Sequence, residues 1–379
     1  MRRTIFEPEH QDFRESVRGF LSREAVPQRK RWEAQGIIDR DFWRKAAAQG
    51  FVAFAAPEAY GGAGIEDFRF NAVLDEEAIY LGIASDGFSM VNDIVGPYLI
   101  ELTDDAQKER WLPGLTDGSL VAAIAMSEPG TGSDLRGIQS TATKRGDEYV
   151  VQGSKTFVTS GIQADLVIVA AQVRGGESEG LGLFVVEAGM DGFERGRKLE
   201  KLGRKGQDTA ELFFENVVVP HENMLGAEGD GMKLLTRNLA QERLSMAVTG
   251  MANAERALEL TLGYTRDRRA FGKSIGSFQA NRFTLAEMAT ELMVGRIYVD
   301  RCIAAQSTGE LSASEAAGAK FWATDLEFSV LDRCLQLHGG YGYMEEYEVA
   351  RRWRDARVQR IYGGTNEIMK EIVGRAMGF

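Results

Sequence analysis

The sequence predicts a mainly helical protein with a β domain set into its middle, on three observations. All seven prolines fall at or before Pro220, and residues 221–379 have none. Proline removes a helix hydrogen bond and clashes with the preceding turn, so a proline-free stretch of that length can hold long helices. From Met232 onward, apolar side chains recur at helical spacing among alanine, leucine, glutamate and arginine, all good helix formers. Residues 149–220 differ, with short β-branched or aromatic runs separated by glycine-rich turns. The expected domains are an N-terminal helical domain (1–122), a middle β domain (123–229) and a C-terminal helical bundle (230–379).

Taken in order, Glu9 to about Val121 has helical patterning, with Pro27, Pro57, Pro97 and Pro113 expected to punctuate between helices. Strands are expected at 149–161, 164–173, 181–189 and 209–220. Three or four long helices follow, packed as a bundle. No fixed-period repeat or low-complexity tract interrupts the chain.

Composition excludes several function classes. A 379-residue chain that is 44% hydrophobic can bury one large core or two to three smaller ones. Its net charge of -11, with basic residues interspersed among acidic ones, prepares no phosphate-backbone surface, so no nucleic acid partner is expected. The longest apolar runs, such as Leu166 to Val173, fall far short of the roughly 18 residues of a membrane span. Two arginines near the start are followed by no apolar targeting region, so a cytoplasmic, bacterial setting is expected. Cys302 and Cys334 form no C-x-x-C pair, and His10, His221 and His338 lie far apart. Buried thiols and no metal centre are the expectation.

Three familiar motifs fail on inspection. The GKS at 272–274 has Asp267 where a phosphate loop needs glycine, and Gly130-x-Gly132 is followed by Leu135 where a dinucleotide fingerprint needs a third glycine. Gly272 to Gly276 spells G-x-S-x-G, but it follows a charged segment rather than a buried strand. The segment 123–134, AIAMSEPGTGSD, is more informative. It joins an apolar strand-like run to a turn whose hydroxyls and backbone N–H groups can meet a polar ring or carbonyl.

That turn is followed by GSKTFVTSG (153–161), RRAFGKSIGSFQ (268–279), QLHGGYGY (336–343) and IYGGTNEIMKEIVGR (361–375). Five blocks in this order resemble the acyl-CoA dehydrogenase family. The stretch RKLEKLGRKGQDTAELFFE (197–215) is similar to its long-chain branch in particular. The resemblance implies a helical N-terminal domain, a central β barrel or sandwich and a C-terminal four-helix bundle, assembled as a tetramer of paired dimers. It also implies FAD as cofactor, an acyl-CoA substrate and electron-transfer flavoprotein as the electron acceptor.

By the same resemblance, Met126 and Ser127 lie against the flavin, Ser133 lies near cofactor and thioester, Phe157 covers a flavin face and Thr159 bonds near the hydride-accepting nitrogen. Relatives often have tryptophan in place of Phe157. Arg268, Phe271 and Gln279, with Gln336, Gly339 and Gly340, match positions that hold the FAD diphosphate and adenosine of a neighbouring subunit. Relatives usually have threonine where this chain has Ala270. Thr365 and Glu367 are expected near the cofactor, and Gln241, Arg243, Tyr362 and Gly364, with Ser133, near the substrate. An acyl-CoA oxidase, a flavin monooxygenase or a non-catalytic acyl-CoA-binding relative would share this outline.

Many members of that family carry the catalytic glutamate in an IYEGT block, where this chain has Gly363. In the long-chain and isovaleryl branches the carboxylate comes from the first bundle helix, where this chain has Glu242. Spacing supports Glu242 independently, because Leu235, Leu239, Glu242 and Met246 fall on one helix face. A carboxylate among apolar neighbours is either a tuned base or a structural ion pair, here with Arg243. The expected catalytic groups are the Glu242 carboxylate and the backbone N–H of Gly363, which would bind the thioester oxygen.

Overall fold

The computed structural model describes residues 3–83 and 86–379. Among the described residues the N-terminal part holds seven α-helices: α1 (Pro8–Glu24), α2 (Arg29–Gln35), α3 (Arg40–Ala47), α4 (Phe68–Tyr80), α5 (Asp86–Ser89), α6 (Val95–Glu101) and α7 (Asp105–Thr116). Their starts are written locally. Pro8 opens α1 behind a reciprocal Glu7–His10 cap, and Asp104 and Gln107 cap α7 in the same way. α4 is buried on nearly all sides, so its acids need partners. Burial alone would raise the Glu76 carboxyl, but Arg3, Arg296 and Arg14 outweigh it and hold it at about 2.

Pro97 and Pro113 lie inside α6 and α7 rather than between helices. Pro97 follows a π-turn within one continuous helical run, and the Asp93 carbonyl four residues earlier, which it cannot serve, accepts from the Gln241 amide instead. Pro113 costs α7 one hydrogen bond, offset by burial of Trp111, Leu112 and Leu115. A single π-turn, Met90–Ile94, links α5 to α6. Gly96 permits it, because a Cβ there would lie 2.0 Å from the Val91 carbonyl oxygen.

The middle part is a mixed sheet built from β1 (Ala122–Ala125), β2 (Thr141–Arg145), β3 (Glu148–Thr159), β4 (Leu166–Arg174), β5 (Gly180–Glu187), β6 (Phe193–Lys198), β7 (Thr209–Pro220) and β8 (Met224–Leu225). The order is β6-β7-β3-β2-β4-β5-β8, with β1 parallel to the start of β4. The four expected strands are β3, β4, β5 and β7. β6 was not expected: its sequence, FERGRK, buries no residue, as suits a charged edge strand.

The C-terminal part begins with α8 (Gly231–Asp267), 37 residues long. A two-strand hairpin, β9 (Arg269–Ala270) and β10 (Lys273–Ser274), leads to α9 (Gln279–Ser307), α10 (Ala313–His338), α11 (Glu348–Ala356) and α12 (Asn366–Ala376). The bundle comprises α8, α9, α10 and the shorter α12. Cys302 on α9 and Cys334 on α10 are buried free thiols, pushed up to about 11 chiefly by burial. No helix among the described residues is long and apolar enough to cross a membrane.

Three apolar cores result. One joins the N-terminal helices to a face of the sheet and includes Leu235 of α8; the second fills the bundle from Leu244 onward and takes in Phe68 and Ala72 of α4. The third lies on the other face of the sheet. α8 therefore leaves one core and enters another between residues 235 and 244, and Glu242 stands at that seam.

Candidate active site

Glu242 is only 3% exposed, as its place among Leu235 and Met246 predicts. Its Oε1 accepts a hydrogen bond from the Tyr98 hydroxyl at 3.2 Å. Burial pushes the carboxyl up to about 7; the Tyr98 bond and the Arg243 charge oppose the rise, and Asp93 adds to it. Among the described residues Glu242 makes no ion pair, because consecutive residues on a helix do not face each other. Arg243 is itself buried, and its Nε has no hydrogen-bond partner among the described residues. Arg243 thus acts on Glu242 through its charge and not through a direct ion pair among the described residues.

Tyr98 lies on α6, 144 positions away in sequence. Nothing in the segment Val95–Glu101 marks it, since the contact exists only after α6 packs against α8. Gln241 is held at both ends of its amide, donating to the Asp93 carbonyl and accepting from Gln306, each at 3.1 Å.

The loop before α12 faces the same wall. Gly363 and Gly364 have φ of 61° and 89°, left-handed values that disfavour any side chain. A Cβ on Gly363 would lie 2.1 Å from the Met246 Cε, one helical turn beyond Glu242, so backbone at 363 touches the helix that carries the acid. The Gly363 N–H finds no acceptor among the described residues. Thr365 caps α12 by accepting from the Ile368 N–H, and Glu367 sits exposed in its first turn. Tyr362 lies under the Arg204 guanidinium, 5.6 Å from ring centre to Cζ.

Sequence reasoning also missed Lys320. Its ammonium, fully buried, donates to the Gly364 carbonyl at 2.8 Å and to Asn366 Oδ1 at 2.9 Å. A lysine within the apolar run AAGAKFWA of α10 was a legible signal, since a buried lysine needs dedicated acceptors.

The remaining expected residues fall into two surfaces. On the sheet, Met126 and Ser127 adjoin the β3 bulge, with Lys155 Nζ on the Met126 carbonyl and the Thr156 N–H on the Ser127 carbonyl. Phe157 is not core. It is 70% exposed and held at φ 59° where the β3–β7 register shifts. Thr159 pairs across the ladder with Thr209, and Ser133 is exposed in the following turn.

The second surface is a cleft of about 550 Å³ lined by Tyr264, Arg268, Gln336, Gly339 and Gly340 among others. Arg268 lies over the Tyr341 ring. Gly339 has φ 59°, whereas Gly340 is unconstrained and a Cβ there would project into open space. Phe271, at the tip of the β9–β10 hairpin, is 94% exposed at φ 51°, and Gln279 opens α9 on the surface. These features fit a flavin dinucleotide: two aromatic rings held out of the core in strained backbone, and a guanidinium beside a glycine-lined hollow suited to a diphosphate.

Because Phe157 buries little of itself, Phe157→Ala should leave the unfolding temperature of the cofactor-free protein nearly unchanged. Loss of one aromatic stacking partner, about 1 kcal/mol, should weaken FAD binding by several-fold to about tenfold. Fluorescence titration of apoprotein with FAD measures it, and unchanged affinity would remove Phe157 from the site.

Profiles for the N-terminal, middle and C-terminal domains of acyl-CoA dehydrogenases match residues 7–119, 123–217 and 229–378. The mitochondrial long-chain specific acyl-CoA dehydrogenase of Mus musculus is 45% identical over 376 residues, covering 98% of this chain and 87% of that one. The crystal structure of acyl-CoA dehydrogenase from Geobacillus kaustophilus superimposes with TM-score 0.96 at 46% identity, over 99% of both chains. Butyryl-CoA dehydrogenase from Megasphaera elsdenii gives 0.92 at 33% over 100% of both. With all three domain profiles matched in order and the fold shared along its length, this chain belongs to the acyl-CoA dehydrogenase family, oxidoreductases that act on CH–CH groups.

Proposed function

We propose that this protein desaturates a fatty acyl-CoA between its α and β carbons, giving the trans-2-enoyl-CoA of fatty acid β-oxidation, with Glu242 as the base. The observation that carries the reading is a buried acid that has no ion-pair partner among the described residues, pushed up to about 7 by burial, one helical turn from the Met246 side chain that meets the glycine loop. There the Gly363 N–H would donate to the thioester oxygen and stabilise the enolate-like charge that develops as Glu242 takes the α proton. Arg243, Gln241, Tyr362, Gly364 and Ser133 would shape the thioester site.

Met126, Ser127, Ser133, Phe157, Thr159, Thr365 and Glu367 would hold the isoalloxazine end of FAD. Arg268, Phe271, Gln279, Gln336, Gly339 and Gly340 would hold its diphosphate and adenosine. Bound FAD supplies the two-electron acceptor for the β hydride. A long-chain acyl group is supported by the 45% identity to the mouse enzyme, and electron-transfer flavoprotein by family likeness. A dimer of dimers is supported by exposed Phe283, Val294 and Ile297 on α9, apolar side chains that a subunit contact would cover. Likeness to bacterial chains supports a bacterial, cytoplasmic setting.

Anaerobic bleaching of the purified yellow protein across saturated acyl-CoAs of increasing length tests the reading. The expected result is bleaching with a long-chain optimum, and absence of bleaching with every acyl-CoA would refute it. Transfer of electrons to electron-transfer flavoprotein, with little peroxide formed under air, separates a dehydrogenase from an oxidase.

The acidity of Glu242 sets a pH dependence. A carboxyl at about 7 is competent only when ionised, so kcat/KM for bleaching should rise about tenfold per pH unit below that point and level off above it. The Tyr98 hydroxyl donates to the ionised form. Tyr98→Phe should therefore move the midpoint to higher pH, and a midpoint that stays in place or falls would contradict the contact.

A further inference from the structure

A second group of acids lies behind Glu242, at the junction of α4, α5, the π-turn and α8. Asp75 of α4 and Asp93 of the π-turn are each 1% exposed. The Ser245 Oγ lies 2.7 Å from Asp75 Oδ2 and 2.6 Å from Asp93 Oδ2. The outer oxygens are also occupied: Ser89 Oγ donates to Asp75 Oδ1 at 2.8 Å, and Asn71 Nδ2 donates to Asp93 Oδ1 at 2.6 Å. No lysine or arginine forms an ion pair with either carboxyl among the described residues.

Hydrogens can be counted. Two short O···O contacts meet at one hydroxyl, which has one hydrogen and donates once. The other contact needs a hydrogen from a carboxyl, so at least one of the two acids is protonated. Asp93, with an amide donor on one oxygen and the serine on the other, is the better home for charge; Asp75 is the better home for the proton. Burial raises both acids, and their mutual repulsion lifts Asp75 well above its ordinary range.

We propose that Asp75 and Asp93, joined through Ser245, share one proton and keep a single negative charge beside α8, where it strengthens Glu242 as a base. Ser245 is three residues beyond Glu242 on that helix, and the Asp93 carbonyl also fixes the neighbouring Gln241 amide at 3.1 Å. Asn71 on α4, Ser89 on α5 and Ser245 on α8 bond the pair; Glu242 on α8, which feels the Asp93 charge, also has the Tyr98 hydroxyl of α6 and the Arg243 charge acting on it. Glu76 and Glu77, next on α4, are neutralised by Arg3, Arg14, Arg18 and Arg296. A fixed charge close to a buried carboxyl disfavours its ionisation, which is the direction Asp93 exerts on Glu242. The inference rests on Glu242 being the base; the shared proton does not.

Asparagine mimics a protonated aspartate, so the charge can be removed in steps. In the FAD-loaded enzyme, Asp75→Asn should leave the pH midpoint of anaerobic bleaching in place, because Asp93 keeps its charge. Asp75→Asn/Asp93→Asn should move that midpoint to lower pH. A shift in the single variant, or none in the double, overturns the proposal. Infrared spectra of wild-type protein labelled with ¹³C-aspartate give an independent reading should the double variant fail to fold. A protonated aspartate band persisting above neutral pH, and lost in Asp75→Asn, is expected; its absence from wild type overturns the shared proton. Normal bleaching in Glu242→Gln would instead defeat the base assignment, leaving the infrared result untouched.

Discussion

Glu242→Gln should keep its yellow colour and bind acyl-CoA, yet reduce its flavin about 10²- to 10⁴-fold more slowly, the range a positioned general base supplies. Glutamine has nearly the shape of a protonated glutamate, and its carbonyl oxygen can still accept from the Tyr98 hydroxyl, 3.2 Å from Oε1 in the native side chain. Packing at the seam between the two cores should therefore survive. Burial makes the ionised carboxylate costly, so removing the charge should leave the fold as stable as before or slightly more so above about pH 7. A folded-state acid raised above its unfolded value binds its proton more tightly when folded, and stability then falls as pH rises through that region. A large loss of rate without loss of stability is the signature of a base rather than a strut. Stopped-flow bleaching at saturating acyl-CoA, with thermal unfolding alongside, measures both. Near-normal bleaching would show that another group takes the proton.

How far this site was legible in the sequence differs residue by residue. Glu242 was legible because helical spacing put a charge on an apolar face, and Gly363 because family likeness made its missing carboxylate conspicuous. Strands β3, β4, β5 and β7 were legible from dense β-branched runs. β6 was not, because an exposed edge strand buries no periodic side chains. The placement of Pro97 and Pro113 inside helices shows why proline is a weak divider: the carbonyl that Pro97 leaves free takes a side-chain donor, and the single bond lost at Pro113 is outweighed by packing. Tyr98, Asp75 and Asp93 act through contacts between α4, the π-turn, α6 and α8, and no local pattern encodes which helices will meet. By residue type alone Phe157 is an ordinary strand aromatic, and only the family likeness singles it out; the backbone, with φ 59° at a register shift, explains why its ring points outward.

Lys320→Met should slow flavin reduction about 10²-fold, the scale of loss that follows when a reacting group is displaced by roughly an ångström. The variant keeps the aliphatic volume inside α10 and deletes the ammonium that ties the Gly364 carbonyl and Asn366 to the helix. The Thr324 hydroxyl, 3.1 Å from Asn366 Oδ1, has a single hydrogen and also meets the Lys320 carbonyl at 2.9 Å, so both the Gly364 carbonyl and Asn366 Oδ1 lose their dedicated donor. An unsatisfied buried acceptor costs about 1–3 kcal/mol. Burial already strains the ammonium, pushing it down to about 8, and relief of that penalty offsets part of the loss. The unfolding temperature should therefore change by only a few degrees. The rate should suffer more, because Gly363 and Gly364, at φ 61° and 89°, occupy a left-handed turn with few restraints apart from Lys320 and the Thr365 cap. If the loop relaxes, the Gly363 N–H no longer sits where oxygen charge develops, and an interaction made chiefly in the transition state is lost. That loss appears in kcat with little change in KM for acyl-CoA. A rise in KM at constant kcat would assign Lys320 to substrate binding, and wild-type values for both would show that the glycine turn holds its place without it.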